Sequence, residues 1–308
     1  MFDLPENAIS KGLSDPQGAF KYIYNQLIYK DGYLIARWIN QLINQRLRNP
    51  GDLDVMKEDW DTLILIDACR FDYFSECADL PGTLNSKQSP ASMSLGFIKE
   101  NYIGRELHDT VYVTANPFAS EIDSGTFHDV VSLIDDYYDN DAGTVPPEDL
   151  ADAARKAHDN YPNKRIIVHF MQPHEPFLSE HGQWVSDRLK WKGNQYHLPA
   201  AVSLDDLQRA YQENLNVVLT HVNALIEEIN GKIVVSSDHG ELLGERLSPI
   251  PIRGLEHPEK IYEDVLLCVP WLEIDTDNRR AIKPDPPKEQ NQIASKKAKK
   301  RLKQLGYA

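Results

Sequence analysis

The chain has 308 residues, with 47 Asp and Glu against 33 Lys and Arg, and a formal net charge of −14. Its 41% hydrophobic and 26% charged residues are those of a folded globular protein, long enough to bury a sizeable core in one large or two ordinary domains. Residues 281–308 carry eight Lys/Arg against two Asp/Glu, or +6, which leaves −20 on residues 1–280. A body this acidic argues against a general nucleic-acid binder, which needs a basic face to neutralise phosphates. Cys69, Cys77 and Cys268 make no disulfide framework and lack zinc-finger spacing. No segment approaches 18 uninterrupted apolar residues, and Met1-Phe2-Asp3-Leu4-Pro5-Glu6 has neither a basic start nor an apolar signal core; a cytoplasmic chain is expected.

From Gln17 to Leu47, Phe20, Ile23, Tyr24, Leu27 and Ile28, then Leu34, Ile35, Trp38, Ile39, Leu42 and Ile43 recur at three- and four-residue spacing. Asp31-Gly32 breaks the stretch, so two amphipathic helices are expected. Three placements stand open for them: packing on the core, pairing with another subunit, or lying on a membrane surface. From Thr62 onward, strands are expected at 62–67, 110–114, 164–170, 232–236 and 263–270, and helices at about 96–106, 147–160 and 204–229. Ser203 with Asp205 and Asp206 supplies the N-cap and acidic first turn of the last helix. Such alternation predicts an α/β fold, a mostly parallel central sheet with helices on both faces. Residues 178–202, with His181, Trp184, Trp191, Tyr196 and His197, read as a long surface loop, either a lid or substrate wall or a plainly packed loop. Lys296-Lys297-Ala298-Lys299-Lys300-Arg301-Leu302-Lys303 reads as a basic helix or a disordered arm, by default a solvated terminus, with the means to touch anionic lipid or nucleic acid.

The chemistry lies at strand ends. Lys232-Ile233-Val234-Val235 runs into Ser236-Ser237-Asp238-His239-Gly240-Glu241, delivering an Asp-His pair where a buried strand stops. Thr62-Leu63-Ile64-Leu65-Ile66 runs into Asp67, and Arg165-Ile166-Ile167-Val168 runs into His169, with Gln172-Pro173-His174-Glu175-Pro176 beyond. Ligands of open α/β sheets sit at the carboxyl ends of strands. Hydrolysis of a phosphate or sulfate ester needs an activated nucleophile and positive charge beside the ester oxygens, both of which metal ions supply at neutral pH. The hydroxyl-rich turn Ser89-Pro90-Ala91-Ser92-Met93-Ser94, leading into a helix, offers the nucleophile and helix amides for an anion.

Three groups of motifs follow in order. They are Leu65-Ile66-Asp67-Ala68-Cys69-Arg70-Phe71-Asp72, then His169-Phe170-Met171-Gln172-Pro173-His174-Glu175-Pro176-Phe177, then Ser237-Asp238-His239-Gly240-Glu241 with His257-Pro258 and Val269-Pro270-Trp271. Over roughly residues 58–275 this order resembles the alkaline phosphatase superfamily, in its sulfatase-like branch and especially the archaeal sulfatase-like proteins. The resemblance implies metal ligation by Asp67, Asp238 and His239. It puts the nucleophile in the serine-rich turn, Ser94 first and Ser92 second. His169, His174 and His257 match positions that bind substrate or complete a second metal site, and Asn116 is placed with the substrate-binding residues. Arg70 would hold a substrate oxygen or the nucleophile's alkoxide. Cys69-Arg70-Phe71-Asp72-Tyr73 departs from the Cys/Ser-x-Pro/Ala-x-Arg segment that classical sulfatases convert to an aldehyde, and so does Ser92-Met93-Ser94-Leu95-Gly96; an unmodified Ser is expected.

The expected organisation is an N-terminal helical segment at 1–57, a sulfatase-like catalytic domain at 58–280 and a basic tail at 281–308. The expected activity is metal-dependent hydrolysis or transfer of a phosphate or sulfate ester. Manganese or zinc suits the ligands best, and calcium and magnesium are compatible with them. The substrate would be a small-molecule, glycan or lipid-headgroup ester, with no nucleic-acid partner; peripheral membrane contact and homo-oligomerisation stay open. The alternative is a degenerate member that binds an anionic glycan or lipid headgroup without turnover.

Overall fold

The computed structural model describes residues 32–189, 198–276 and 278–288. Seven strands form one sheet: β1 (Thr62–Ile66), β2 (Thr83–Gln88), β3 (Leu107–Thr114), β4 (Phe127–Ser132), β5 (Arg165–Phe170), β6 (Ile233–Ser236) and β9 (Cys268–Ile274), in the order β2-β9-β6-β1-β5-β3-β4. The five strands from β6 to β4 run parallel, and β9 and β2 add antiparallel at one side. A second sheet is the hairpin of β7 (Leu242–Arg246) and β8 (Arg253–Glu256). Helices are α1 (Gly32–Leu47), α2 (Phe71–Cys77), α3 (Ser94–Asn101), α4 (Pro147–Asn160), α5 (Glu180–Leu189), α6 (Leu204–Glu228) and the turn α7 (Asp264–Leu267).

The apolar runs are continuous because both faces of the sheet are covered. Alternate residues of β1 serve opposite cores: Ile64 and Ile66 pack with α4 and α6 through Ala154, Leu215, Val218 and Val222, while Leu63 and Leu65 pack with α3 through Phe97 and Ile98, and with Trp60 and Trp271. Ser203 caps α6 by accepting from the Asp206 amide, and the Asp206 carboxylate reaches back to the Ser203 amide. A smaller cluster joins α5 and the start of α6 to the hairpin through Phe177, Val185, Leu207, Tyr211, Leu243 and Leu255.

The expected α/β architecture, with a mostly parallel sheet between helices, is the one observed. Several elements differ. The strand expected at 263–270 is the turn α7 followed by β9, which runs antiparallel, because Asp264–Leu267 winds up before the chain extends. The expected loop 178–202 contains α5, whose Gly182 allows a close turn: a Cβ there would meet Phe177 Cβ at 2.5 Å. Trp191, Tyr196 and His197 lie outside the described residues, as do the first N-terminal helix and the basic run 296–303. The second N-terminal helix is α1. Residues 278–288 form a strap across the amino ends of the strands, with Asp285 N donating to His108 O and Lys288 N to His128 O. Lys164 Nζ secures it through Lys283 O at 2.7 Å and the Asp285 carboxylate at 2.6 Å.

Candidate metal centre

The carboxyl ends of β1, β5 and β6 bring Asp67, His169, Asp238 and His239 together, all fully buried. The turn after β1 is unusual: Ala68 has φ 58°, a left-handed conformation that costs a non-glycine residue free energy. Neighbours over-determine it. The Tyr211 hydroxyl donates to Ala68 O at 2.7 Å and accepts from Arg70 N at 2.9 Å, while Ser237 Oγ accepts from Cys69 N at 2.9 Å and donates to Ile66 O at 2.7 Å. On the other strand, Gly240 permits a close passage, since a Cβ there would meet Val265 O at 1.9 Å.

Asp67, Asp238 and His239 offer ligand atoms within 4.8 Å of one another. His239 Nδ1 lies 2.8 Å from Gly240 O, which places the ring proton on Nδ1 and the lone pair on Nε2. That Nε2 is 3.6 Å from Asp67 Oδ1 and 3.4 Å from Asp238 Oδ2. Both carboxylate oxygens are buried without a hydrogen-bond partner among the described residues. Three acceptors facing one another, with only the Ser94 hydroxyl beside His239 Nε2 and His169 Nε2 at 3.6 Å from Asp238 Oδ2, are unfavourable unless a cation sits there. Two carboxylates and an imidazole suit a divalent ion, and the donor set fits the implied metal. Without one, burial and then the Asp238 carboxylate push Asp67 well above the usual range; burial also opposes ionisation of Asp238, but the His239 and His169 imidazoles outweigh it and hold it low.

Ser94 is the first residue of α3, and its Oγ stands 3.2 Å from Asp67 Oδ2 and 3.3 Å from His239 Nε2. The helix amides and dipole favour negative charge at this spot. Ser92, the second choice from sequence, spends its hydroxyl on Pro258 O at 2.9 Å. Asn116 orients Asp67, with Nδ2 donating to Oδ2 at 2.9 Å and Oδ1 accepting from Phe118 N. Arg70 is neutralised: it grips Asp72 through Nε at 2.9 Å and Nη2 at 2.6 Å, and its Nη1 meets Glu245 at 2.5 Å and Glu241 O at 3.3 Å. These contacts brace the loop after β6.

A second group, His174, Glu241 and His257, also keeps its ligand atoms within 4.8 Å. His257 adjoins both groups, with ring centroids 4.6 Å from His239 and 4.9 Å from His174. Glu241 Oε2 accepts from His257 Nδ1 at 3.0 Å, and His174 Nδ1 donates to Glu175 O at 2.5 Å. Burial pulls both imidazoles down to about 4, His174 further lowered by His257, so each is neutral and able to ligate at neutral pH. Burial raises Glu241 to about 7. The sequence reading put His257 with His169 and His174 at positions that bind substrate or complete a second metal site and assigned Glu241 no role, although Glu241 follows the Asp-His pair by two residues. It also missed Tyr112, whose hydroxyl is 2.7 Å from His169 Nδ1 and fixes the ring while Nε2 sits 3.6 Å from Asp238 Oδ2.

No family model matches the chain, and no curated protein matches it by sequence. Solved structures do. The C-terminal periplasmic domain of the phosphoethanolamine transferase EptC from Campylobacter jejuni is 14% identical at a TM-score of 0.44, over 70% of this chain and 78% of that one. The EptC periplasmic domain from Escherichia coli, in complex with Zn, is 14% identical at 0.43, over 73% and 77%. A putative sulfatase from Bacteroides thetaiotaomicron is 11% identical at 0.41, over 72% and 66%. The overlap is partial and the identity low, so the chemistry rests on this chain's own side chains.

Proposed function

We propose that the protein is a metal-dependent enzyme of the sulfatase-like branch of the alkaline phosphatase superfamily, transferring or hydrolysing a phosphate or sulfate ester with Ser94 as nucleophile. The observation that carries this reading is the triad of mutually facing acceptors Asp67 Oδ1, Asp238 Oδ2 and His239 Nε2, with the Ser94 hydroxyl beside it. Residues 58–280 act as the catalytic domain.

Asp67, Asp238 and His239 would hold one divalent cation, manganese or zinc by preference, and His174, Glu241 and His257 a second. Such ions supply positive charge that acidifies a neighbouring hydroxyl and draws electron density from ester oxygens. The protein does the rest. Ser94 Oγ has two acceptors for its single proton, Asp67 Oδ2 and His239 Nε2, so the hydroxyl is fixed and polarised for attack. Asn116 and the turn clamped by Tyr211 keep Asp67 in place. His169, held by Tyr112, presents Nε2 toward the same space, where it can donate to a developing oxyanion. The first turn of α3 adds oriented amides.

Purified protein reconstituted with manganese or zinc is assayed on aryl phosphate mono- and diesters and on aryl sulfate. Metal-dependent turnover of one ester class, abolished by Ser94→Ala with metal still bound, is the expected result. Metal binding without turnover of any of them favours the binding protein over the enzyme.

A further inference from the structure

Three of the four large hydrophobic side chains exposed among the described residues lie on α1: Ile35 at 58%, Trp38 at 61% and Leu47 at 80%. The helix is amphipathic with its polar side inward. Its buried residues are Ala36, Asn40 and Asn44. Asn40 exchanges two hydrogen bonds with Ile250, Nδ2 to O at 2.9 Å and Oδ1 from N at 2.8 Å. Asn44 donates to Ser248 O at 3.1 Å and accepts from Tyr262 N at 3.0 Å. Arg48 completes the attachment through Tyr262 O and the Glu263 carboxylate. Side-chain amides thus fasten α1 to the segment 248–263 that carries His257, and Ile35, Trp38 and Leu42 fall at i, i+3 and i+7 along the other side.

The charge on α1 itself is of one sign. Residues 32–51 hold Arg37, Arg46 and Arg48 and no acidic residue, in a chain of net charge −14. Two acidic neighbours in the supporting segment are paired, Glu263 with Arg48 at 3.1 Å and Glu259 with Lys260 at 3.4 Å. A second copy is a poor occupant, because a two-fold contact through α1 brings the same arginines together. An anionic bilayer matches the local features of this face: aliphatic side chains for the acyl boundary, an indole for the headgroup level and the Arg37 and Arg46 guanidinium groups for lipid phosphates. We propose that α1 docks the protein on an anionic lipid surface through the Ile35–Trp38–Leu42 stripe. No helix among the described residues is long and apolar enough to cross a membrane, so α1 lies in the interface plane rather than spanning it. This contact does not depend on the ester chemistry proposed above.

The test is co-sedimentation of the full chain with phosphatidylcholine vesicles, with and without phosphatidylglycerol. Binding to the phosphatidylglycerol vesicles, weakening with salt, is expected. Ile35→Ser and Trp38→Ser should each weaken it by about tenfold or more, and Arg46→Gln by less. All three substitutions are at partly or fully solvent-facing positions and should leave the circular dichroism, the melting temperature and turnover of a soluble ester unchanged. Absence of binding at low salt, or binding indifferent to Ile35→Ser and Trp38→Ser, overturns the proposal. A dimer in light scattering that these substitutions dissociate also overturns it, by assigning the face to a second copy.

Discussion

Asp61 precedes β1 and Asp67 follows it, and both are buried. Around Asp61 the chain has gathered donors: Arg279 Nε at 2.7 Å, the amide of Lys232 at 2.8 Å and the amide of Arg280 at 3.2 Å. Burial alone would raise the Asp61 carboxyl, but Arg279 and these amides prevail and hold it below its ordinary range. Around Asp67 the chain has gathered further acceptors, and one carboxylate oxygen is left unpartnered. One strand therefore carries a structural carboxylate at its amino end and, at its carboxyl end, a carboxylate with one oxygen unpartnered among the described residues, the atom proposed to ligate a cation.

The sharpest way to break this contrast is to neutralise each residue in chelator-treated protein. Asp61→Asn leaves Arg279 and buried amides poorly matched and should cost about 2–4 kcal/mol in urea unfolding. Asp67→Asn keeps the bond to Asn116, removes a repulsive buried charge and should leave stability unchanged or raise it, while abolishing stabilisation by added metal. Equal losses at the two positions would refute the distinction.

Next in size, Ser94→Ala should lower kcat by about 10³-fold or more while metal still raises the melting temperature. The comparison also has a pH signature. Glu241 and Glu256 are raised by burial to about 7 from the ordinary 4.5, and Asp67 is raised as well. The protonated forms of all three are favoured by folding, and for Glu241 and Glu256 that contribution is complete below about pH 4.5 and is lost as the pH climbs through about 7. Asp61 behaves oppositely, its contribution present above the ordinary aspartate range and lost in acid. His174 and His257, lowered by burial to about 4, contribute in the opposite sense, and their contribution is complete above about pH 6.5. Thermal melts of metal-free protein should therefore fall from about pH 6.5 to about pH 8, and saturating metal should flatten or reverse that trend.

The smallest effect belongs to the positioning shell. Tyr112→Phe keeps the ring among Tyr102, Phe127 and His169 and removes only the hydroxyl. A loss of about tenfold in kcat with metal content unchanged is expected. Nitrogen chemical shifts of the His169 ring should report altered imidazole hydrogen bonding. An unchanged His169 spectrum would remove Tyr112 from the account.

Much of the site was legible because strand ends announce themselves. Asp67, His169 and Asp238-His239 each close an apolar run, and Ser94 sits where a hydroxyl-rich turn meets a helix. The elements that escaped lack that contrast. β2 is an edge strand of mostly polar, exposed residues, and β7 contains Gly244 at φ 114°, so neither shows alternation. α5 is short and carries a glycine. The function of Arg70 could not be read from spacing, because its partner Glu245 arrives from a hairpin 175 residues later. Glu241 was hidden in plain sight: its role depends on His174 and His257 folding toward it from β5's end and the β8 turn.

The central claim is that the acceptors at the ends of β1 and β6 exist to hold a divalent cation. Titration calorimetry with manganese and zinc on chelator-treated protein, wild type beside Asp238→Ala, tests it most directly. The account predicts at least one equivalent bound by the wild type, with that site lost in a folded Asp238→Ala variant. A folded wild type that takes up neither ion, or an Asp238→Ala variant that binds as tightly, would contradict it.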